Sequence, residues 1–241
     1  VGAGLQAWRH DLVGKKVLVC VSGGLDSVAL LRILSRLNSV DPSWDLDLEV
    51  LHFNHGLRAE SADEAVFVRE LSTELGLPFH LREASAEQRE LWLASGLQNG
   101  AREWRRFESS QLIRTLDRNG SIATAHHKGD QVESILLKIL RGVHLSNIRG
   151  MDVCGATEHG VRLLRPLLTT VGKEDLRRYL EAVGQEWRED TSNLKPDYAR
   201  NRVRIDALPA LELVAGGQKA LSDRLRTLAD QSSGFRVWLE S

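Results

Sequence analysis

The chain has 241 residues, of which 42% are apolar and 27% are charged, and its formal net charge is −1. Such a length can build one substantial α/β core with a small appendage. The near-neutral charge excludes a surface that is basic all over, although arginines can still be concentrated on one face. No apolar run reaches the length of a membrane span and the first residues do not have the layout of a signal peptide, so we expect a cytoplasmic protein with no membrane partner.

The two cysteines, Cys20 and Cys154, offer neither a disulfide framework nor a metal-ligand pair. This favours a reducing compartment. The sequence begins with Val1 rather than Met, so we expect the chain to start inside a longer reading frame or to follow processing.

The first predicted strand, Val17–Val21, leads directly into a glycine-rich turn and then into a helix pattern from Val28 to Leu37. Glycines let backbone N–H groups approach an anion closely, and the following helix adds its unpaired N–H groups and positive dipole end. The segment has neither the Lys-Ser/Thr ending of a Walker A loop nor the three spaced glycines of a dinucleotide motif. We expect it to bind ATP phosphates through Ser22, Gly23, Gly24, Leu25, Asp26 and Ser27.

Asp26 is the unusual member of this turn, because a carboxylate repels a phosphate unless a metal ion lies between them. We interpret it as a Mg²⁺ ligand. Capping of the helix is the plainer alternative.

Strand and helix patterns alternate along the next hundred residues, at Leu46–Phe53, Ala62–Leu75, Phe79–Arg82, Leu97–Leu116, Ile122–Ala125 and Gln131–Arg141. This order predicts an α/β fold with a doubly wound, mainly parallel, Rossmann-like sheet, whose ligands lie beyond the carboxyl ends of the strands. The chain continues with a short apolar piece at Val161–Leu164 and a helix pattern at Lys173–Val183. The C-terminal segment, Leu208–Leu239, has a helical pattern with predicted breaks at Gly216-Gly217 and Ser232-Ser233-Gly234.

Polar side chains follow the second strand at the edge where a nucleotide's base and sugar would lie, namely His52, Asn54 and His55. A polar loop with a glycine turn is the plainer alternative. On the helix pattern that follows, Arg102 and Arg106 are four residues apart and share a face, which suits either a phosphate clamp or a solvated surface.

The segment from His126 to Ser134 joins a predicted strand to a helix and carries two adjacent histidines, Asp130 and Glu133. Consecutive side chains diverge, so one of the two histidines at most faces a ligand well. The acidic residues also suit a helix start, where they favour the dipole.

Three arginines, Arg200, Arg202 and Arg204, alternate with other residues near the end of a polar stretch. Guanidinium groups bind phosphates in a bidentate manner, so these residues are candidates for RNA contacts. Salt bridges within the fold, to Asp197 or Asp206, are the alternative.

Taken together, the blocks resemble the tRNA(Ile)-lysidine synthases, a family of PP-loop (N-type) ATP pyrophosphatases. The SGGxDS pattern alone indicates the superfamily, whereas HFNHGLR, RPLL, EDTSN and YARNRVR in this order are far more specific. The matching pieces are Ser22–Ser27, His52–Arg58, Ala101–Phe107, Ala123–Ser134, Leu137–Gly142, Arg165–Leu168 and Glu189–Arg204.

The resemblance implies ATP-dependent ligation of free L-lysine to carbon 2 of the wobble cytidine of an isoleucine tRNA with a CAU anticodon. Adenylation of the cytosine oxygen releases pyrophosphate, and the lysine ε-amine then displaces AMP. The product, lysidine, changes codon reading from AUG to AUA. A homodimer is compatible with this assignment.

The resemblance also implies roles for particular residues. The catalytic set is Asp26, Arg102, His126 and Asp130, with Mg²⁺ held by Asp26 and Asp130, and tRNA contacts fall to Arg200, Arg202 and Arg204. The implied domains are an ATP pyrophosphatase catalytic domain over residues 1–205 and a helical segment over residues 206–241, an adenine nucleotide alpha hydrolase-like fold with a short appendage.

Three features depart from the family pattern. Gly129 replaces the first aspartate of HHxDDxxE/T, and Val143–Gly150 replaces a glycine-rich loop. The chain also stops soon after the first domain, so we expect only a remnant or the start of a tRNA-binding region. Two alternatives remain: a tRNA thiolation enzyme of the same superfamily, which the lack of a CxxC disfavours, and a non-catalytic nucleotide- or RNA-binding relative.

Overall fold

The computed structural model describes residue 6 and residues 9–56, 61–189 and 199–240. Within these ranges six strands form one sheet in the order β3-β2-β1-β4-β6-β5. Neighbouring strands are parallel except for the antiparallel edge pair of β5 with β6. The strands are β1 (Lys16–Cys20), β2 (Asp47–Asn54), β3 (Phe79–Glu83), β4 (Ser121–Ala123), β5 (Cys154–Ala156) and β6 (Arg162–Leu164).

Helices connect the strands and cover both faces of the sheet. In chain order they are α1 (Arg9–Leu12), α2 (Leu25–Val40), α3 (Ser61–Glu74), α4 (Ala86–Ser95), α5 (Leu97–Leu116), α6 (Lys128–Leu140), α7 (Lys173–Ala182), α8 (Ala199–Arg202), α9 (Leu208–Ala215) and α10 (Gln218–Glu240), with a π-helical turn at Val203–Ala207 between α8 and α9.

The alternation of side chains along β1 explains the two layers of the core. Val17 and Val19 face α2, α3 and α7, and Leu18 faces α5 on the opposite side. All three valine and leucine side chains are at most 2% exposed. A strand that is apolar on both faces must be covered on both faces, as in a parallel doubly wound sheet.

This architecture confirms the predicted α/β class with a mainly parallel sheet. The carboxyl ends of β1 and β4, which are neighbours in the sheet, place the turn after β1 and the start of α6 side by side. Ligand sites in such sheets lie where neighbouring connections leave toward opposite faces.

The C-terminal helices pack on α6. Val203, Leu208, Leu221 and Leu225 form one buried apolar cluster with Ile135. The proposed boundary between residues 205 and 206 falls inside the π-helical turn, and the division into two domains stays a prediction.

Some elements differ from the sequence prediction. Helix α4 was not predicted; it begins with a reciprocal capping box, in which Ser85 Oγ accepts from the Gln88 N–H and Gln88 Oε1 accepts from the Ser85 N–H. The antiparallel edge strand β5 was also not predicted.

The predicted break at Ser232-Ser233-Gly234 is wrong, because α10 continues through it. Ser232 is 2% exposed and its hydroxyl donates to the Leu145 carbonyl at 2.5 Å, so a tertiary contact holds the residue within the helix. The break at Gly216 and Gly217, by contrast, is present, with φ values of 85° and 118°. Among the described helices, none is both long and apolar enough to cross a membrane.

Candidate active site

The turn between β1 and α2 is held in shape by its two serines. Ser27 Oγ accepts from the Ser22 N–H at 3.1 Å and donates to the Gly24 carbonyl at 2.9 Å. Gly23 has a φ of 93°, in the left-handed region that favours glycine. Gly24 is the N-cap of α2 and has no side chain to occupy the first helical N–H groups, so these donors remain suited to an anion.

Two carboxylates meet across the start of α6. Asp26 lies in the first turn of α2, and Asp130 Oδ2 accepts from the His127 N–H at 2.9 Å. Nε2 of His127 lies 3.7 Å from Asp26 Oδ2 and 3.7 Å from Asp130 Oδ2. Asp26 Oδ1 is buried and has no hydrogen-bond partner. A buried carboxylate oxygen with an unused lone pair next to a second carboxylate is a suitable ligand set for a hard cation.

The surroundings shift the two carboxylates in opposite directions. Burial raises the pKa of Asp26, and interactions with His127 and Lys173 offset only part of that increase. Burial also acts to raise the pKa of Asp130, but interactions with His127, including its backbone N–H, and with Arg200 outweigh it and lower that pKa. Such opposed shifts are typical of paired groups at functional sites, although structural ion pairs produce them too.

Two of the three predicted RNA contacts are engaged inside the fold. Arg204 forms a bidentate pair with Glu133 at 2.6 and 3.0 Å, and Arg200 donates to both Glu133 and Asp130 at 2.8 Å. Glu133 is only 3% exposed. These arginines therefore connect α8 and the π-helical turn to α6. Internal salt bridges were the alternative that the sequence left open, but the partners among the described residues lie on α6 and do not include Asp206. Arg202 is exposed.

His126 lies near Asp130 and among arginines. Its Nδ1 is 3.0 Å from Thr124 Oγ1. Burial lowers the pKa of His126 to about 4, because the charges of Arg165, Arg200 and Arg102 also act to lower it and Asp130 offsets only part of the decrease, so the imidazole is neutral at pH 7. The Arg165 guanidinium donates to the Asp152 carbonyl at 2.8 Å, whereas its Nε is buried without a hydrogen-bond partner. This concentration of positive charge is suited to an anionic ligand.

The residues predicted to contact the base and sugar of the nucleotide, His52, Asn54 and His55, differ in how deeply they are buried. His52 is 1% exposed and its Nδ1 lies 2.8 Å from the Val21 carbonyl, directly before the predicted phosphate turn, Ser22–Ser27. Asn54 Oδ1 accepts from the Gly56 N–H at 2.8 Å. The His55 ring makes edge contacts with Trp92 and Trp104. His52 thus lies beneath the turn, whereas Asn54 ends β2 and His55 begins the loop that follows it.

Three residues of the site were not selected from the sequence: His127, Glu133 and Arg165. Each falls within a motif that carried the family resemblance, so the signal was present. Spacing alone does not show whether His126 or His127 faces the two carboxylates, because that depends on which ring folds back over the start of α6. The segments Leu57–Glu60 and Asp190–Tyr198, which include Arg58 and the EDTSN motif's last four residues, lie outside the described residues.

The sequence matches the family described as the PP-loop domain over residues 4–211. It is 37% identical to the tRNA(Ile)-lysidine synthase of Symbiobacterium thermophilum, over 92% of this chain and 45% of that protein. It is 35% identical to the tRNA(Ile)-lysidine synthase of Chlamydia pneumoniae, over 95% of this chain and 67% of that protein. The chain belongs to the tRNA(Ile)-lysidine synthase family of PP-loop proteins.

Members of this family are ATP-dependent ligases, which agrees with the predicted phosphate turn. The chain spans 45% of the length of the Symbiobacterium protein and 67% of the length of the Chlamydia protein. Among solved structures, the U34-tRNA thiolase NcsA from Methanococcus maripaludis superposes with a TM-score of 0.70 at 13% identity, covering 95% of this chain and 78% of that one. At such low identity the likeness shows a shared fold.

Proposed function

We propose that this chain carries the catalytic domain of a tRNA(Ile)-lysidine synthase, which ligates lysine to carbon 2 of the wobble cytidine of an isoleucine tRNA with a CAU anticodon. The observation that carries the proposal is the convergence of Asp26 and Asp130 on His127 Nε2, each at 3.7 Å, beside the phosphate turn. The names and identities of the relatives supply the substrate class.

The turn from Ser22 to Ser27 binds the β- and γ-phosphates of ATP, which leave as pyrophosphate. Its backbone N–H groups and the start of α2 oppose the charge of that leaving group. Asp26 and Asp130 fit a Mg²⁺ ion, since Asp26 Oδ1 is buried without a partner. When bound there, the ion would neutralise charge on the phosphates and so assist departure of pyrophosphate.

In the first step, the oxygen on carbon 2 of the cytosine attacks the α-phosphorus of ATP. A new phosphorus–oxygen bond forms, and the bond to the β-phosphate bridging oxygen breaks. Arg102 and Arg165, whose charges surround His126, stabilise the negative charge that develops on the α-phosphate. Neutral His126 adds no repulsive charge to the arginines and can accept a hydrogen bond through its ring.

In the second step, the ε-amine of lysine attacks carbon 2 and AMP leaves with the oxygen that had been adenylated. The lysine ammonium releases a proton to solvent to become the nucleophilic amine, and the nitrogen releases a second proton to solvent once the carbon–nitrogen bond has formed. No protein nucleophile is needed in either step, because ATP activates the base and the amine is itself the nucleophile. Exposed Arg202 is the best of the three C-terminal arginines for a phosphate of the tRNA.

The test is incubation of the chain with an isoleucine tRNA transcript, ATP and labelled lysine. We expect label in the RNA together with AMP and pyrophosphate in equal amounts. A transcript with uridine at the wobble position is the matched control and should take up no lysine. Sulfur transfer in place of lysine would favour the thiolation alternative, and binding of ATP without AMP release would favour a non-catalytic relative.

We also propose a homodimer in the cytoplasm. Leu213 and Val214 on α9 are 84% and 86% exposed, an apolar surface suited to self-association. Light scattering during gel filtration should give twice the 26.9 kDa chain mass. A mass equal to one chain across the concentration range would contradict the dimer.

A further inference from the structure

The His127 ring is folded back over the first turn of its own helix. Its Nδ1 accepts from the Gly129 N–H at 2.9 Å, and the side chain is almost completely buried. Because Nδ1 accepts a hydrogen bond, the neutral ring carries its hydrogen on Nε2. That nitrogen is the one that lies 3.7 Å from both Asp26 and Asp130.

Only glycine at position 129 leaves enough space for the His127 ring in this orientation. A Cβ added at Gly129 would lie 2.7 Å from Cε1 and 3.1 Å from Nδ1 of His127, closer than side chains pack. The φ of Gly129 is not in the left-handed region, so backbone strain is not the reason for glycine here. The ring cannot move aside without losing its hydrogen bond to the backbone. The aspartate that the family pattern has at this position would bring the same Cβ.

We propose that His127 is a positioning residue that fixes the separation of Asp26 and Asp130, and that Gly129 is present to leave room for its ring. Two carboxylates facing each other under partial burial repel, so a polar N–H group placed between them reduces the cost of keeping both in place. A separation of 3.7 Å is longer than a direct hydrogen bond. His127 thus acts as a neighbour shared by the pair. The inference rests on the proposed function, in which these carboxylates hold the cation.

The first measurement needs neither tRNA nor lysine. Mn²⁺, a spectroscopically visible substitute for Mg²⁺, is titrated into the full chain and its binding followed by electron paramagnetic resonance. We expect Gly129→Ala to weaken Mn²⁺ binding about tenfold or more, because losing a contact that positions the metal ligands commonly has an effect of this size. Ser134→Ala, a small change later in the same helix, is the control and should bind Mn²⁺ like the parent.

A double-variant cycle then asks whether the effect passes through the ring. Once His127→Ala has removed the ring, the Cβ of Gly129→Ala meets nothing there. We therefore expect the double variant to bind Mn²⁺ no more weakly than His127→Ala alone. Nitrogen-15 NMR of the imidazole should show a hydrogen on Nε2 in the parent and a changed Nδ1 signal in Gly129→Ala.

Several results would overturn the inference: a parent chain that binds no Mn²⁺, unchanged binding in Gly129→Ala, or additive losses in the double variant. Because an added methyl at a helical glycine favours the helix, loss of folding is not expected, and circular dichroism checks it. Lysine incorporation is measured separately. If the double variant shows coupling between positions 127 and 129 but the chain incorporates no lysine, the positioning role is supported and the proposed reaction is wrong. If the chain incorporates lysine but the two substitutions act independently, only the positioning role is wrong.

Discussion

Two charged clusters lie at opposite ends of β1 and β2, and they differ in how completely their polar atoms are paired. At the amino ends, Glu49 is 3% exposed and both of its oxygens are engaged, by Lys16 Nζ at 2.5 Å and by His80 Nε2 at 2.5 Å. Lys16 also reaches Asp47 at 2.8 Å. This cluster has the complete pairing that buried charge requires for a stable fold.

The cluster at the carboxyl end of β1 is incompletely paired. Asp26 Oδ1 and Arg165 Nε are both buried without hydrogen-bond partners, and the two groups have opposite charge but do not pair with each other. Native proteins rarely leave such atoms unsatisfied. Ser72 and Ser121 also have buried hydroxyls without partners, so an unpartnered polar atom alone does not identify a site. The difference teaches that burial of charge alone does not identify a site either, whereas a buried acid and a buried base that each keep an unpartnered atom are the stronger indication.

The largest effect is expected from Asp26→Asn, which keeps the shape of the side chain and removes its charge. Pyrophosphate release should fall about 10²-fold or more, because in the proposed function Asp26 makes a metal-mediated contact, and such a contact typically supplies several kcal/mol in the transition state. Burial raises the pKa of Asp26 in the fold, so any stability that it contributes is present at low pH and is lost as pH rises through that pKa. The variant should therefore melt at pH 7 no lower than the parent.

A clear drop in melting temperature for Asp26→Asn, with turnover reduced only in proportion to the unfolded fraction, would reverse the comparison. It would show that Asp26, like Glu49, stabilises the fold and has no direct role in the reaction. Far-ultraviolet circular dichroism and pyrophosphate release on the same sample separate the two results.

Glu49→Gln should have the opposite profile. Removing the buried carboxylate leaves Lys16 and His80 without their shared partner, which we expect to cost about 2 kcal/mol of unfolding free energy, less than for a fully buried pair since Lys16 is partly exposed. Pyrophosphate release per folded molecule should be unchanged. Urea denaturation measures the first quantity and kinetics at saturating ATP the second; an unchanged midpoint would show that this pairing adds nothing.

His52 gives a smaller, pH-dependent effect. Burial lowers its pKa in the fold, partly offset by its hydrogen bond to the Val21 carbonyl. A depressed pKa means that the stability from neutral His52 is complete above the unfolded value near 6.5 and is lost as pH falls below it. Melting temperature should therefore decline from pH 7.5 to pH 5, and His52→Asn, which keeps a donor for Val21, should make that decline shallower. An equally steep decline in the variant would assign the pH dependence to other groups.

The sequence was sufficient to predict the α/β class and the mainly parallel sheet, but not the antiparallel edge strand β5. Periodicity placed β1, α5 and α7 within a residue or two, because long apolar patterns leave few alternatives. It missed α4, where the pattern is weak and the helix depends on packing of Trp92 against Trp104, whose ring centroids are 5.4 Å apart. The glycine-rich turn was recognisable because its chemistry is local.

Contacts across the site could not be predicted in the same way. That Arg200 and Arg204 pair with Glu133 depends on how the C-terminal helices return to α6, which no local pattern encodes. The space that Gly129 leaves for His127 is equally a property of three-dimensional packing. The catalytic, metal and RNA assignments of single residues stay predictions, and the experiments above address them.

The smallest expected effect separates Arg202 from its neighbour Arg204, and it tests whether the C-terminal arginines belong to the fold or to the RNA surface. Arg202 is exposed, so Arg202→Gln should leave the melting temperature unchanged while reducing the slope of log tRNA affinity against log salt by about one unit. Arg204 is bound to buried Glu133 through two hydrogen bonds, so Arg204→Gln should lower the melting temperature. Measuring both quantities for both variants is decisive: an unchanged salt slope in Arg202→Gln would show that Arg202 makes no contact with a tRNA phosphate.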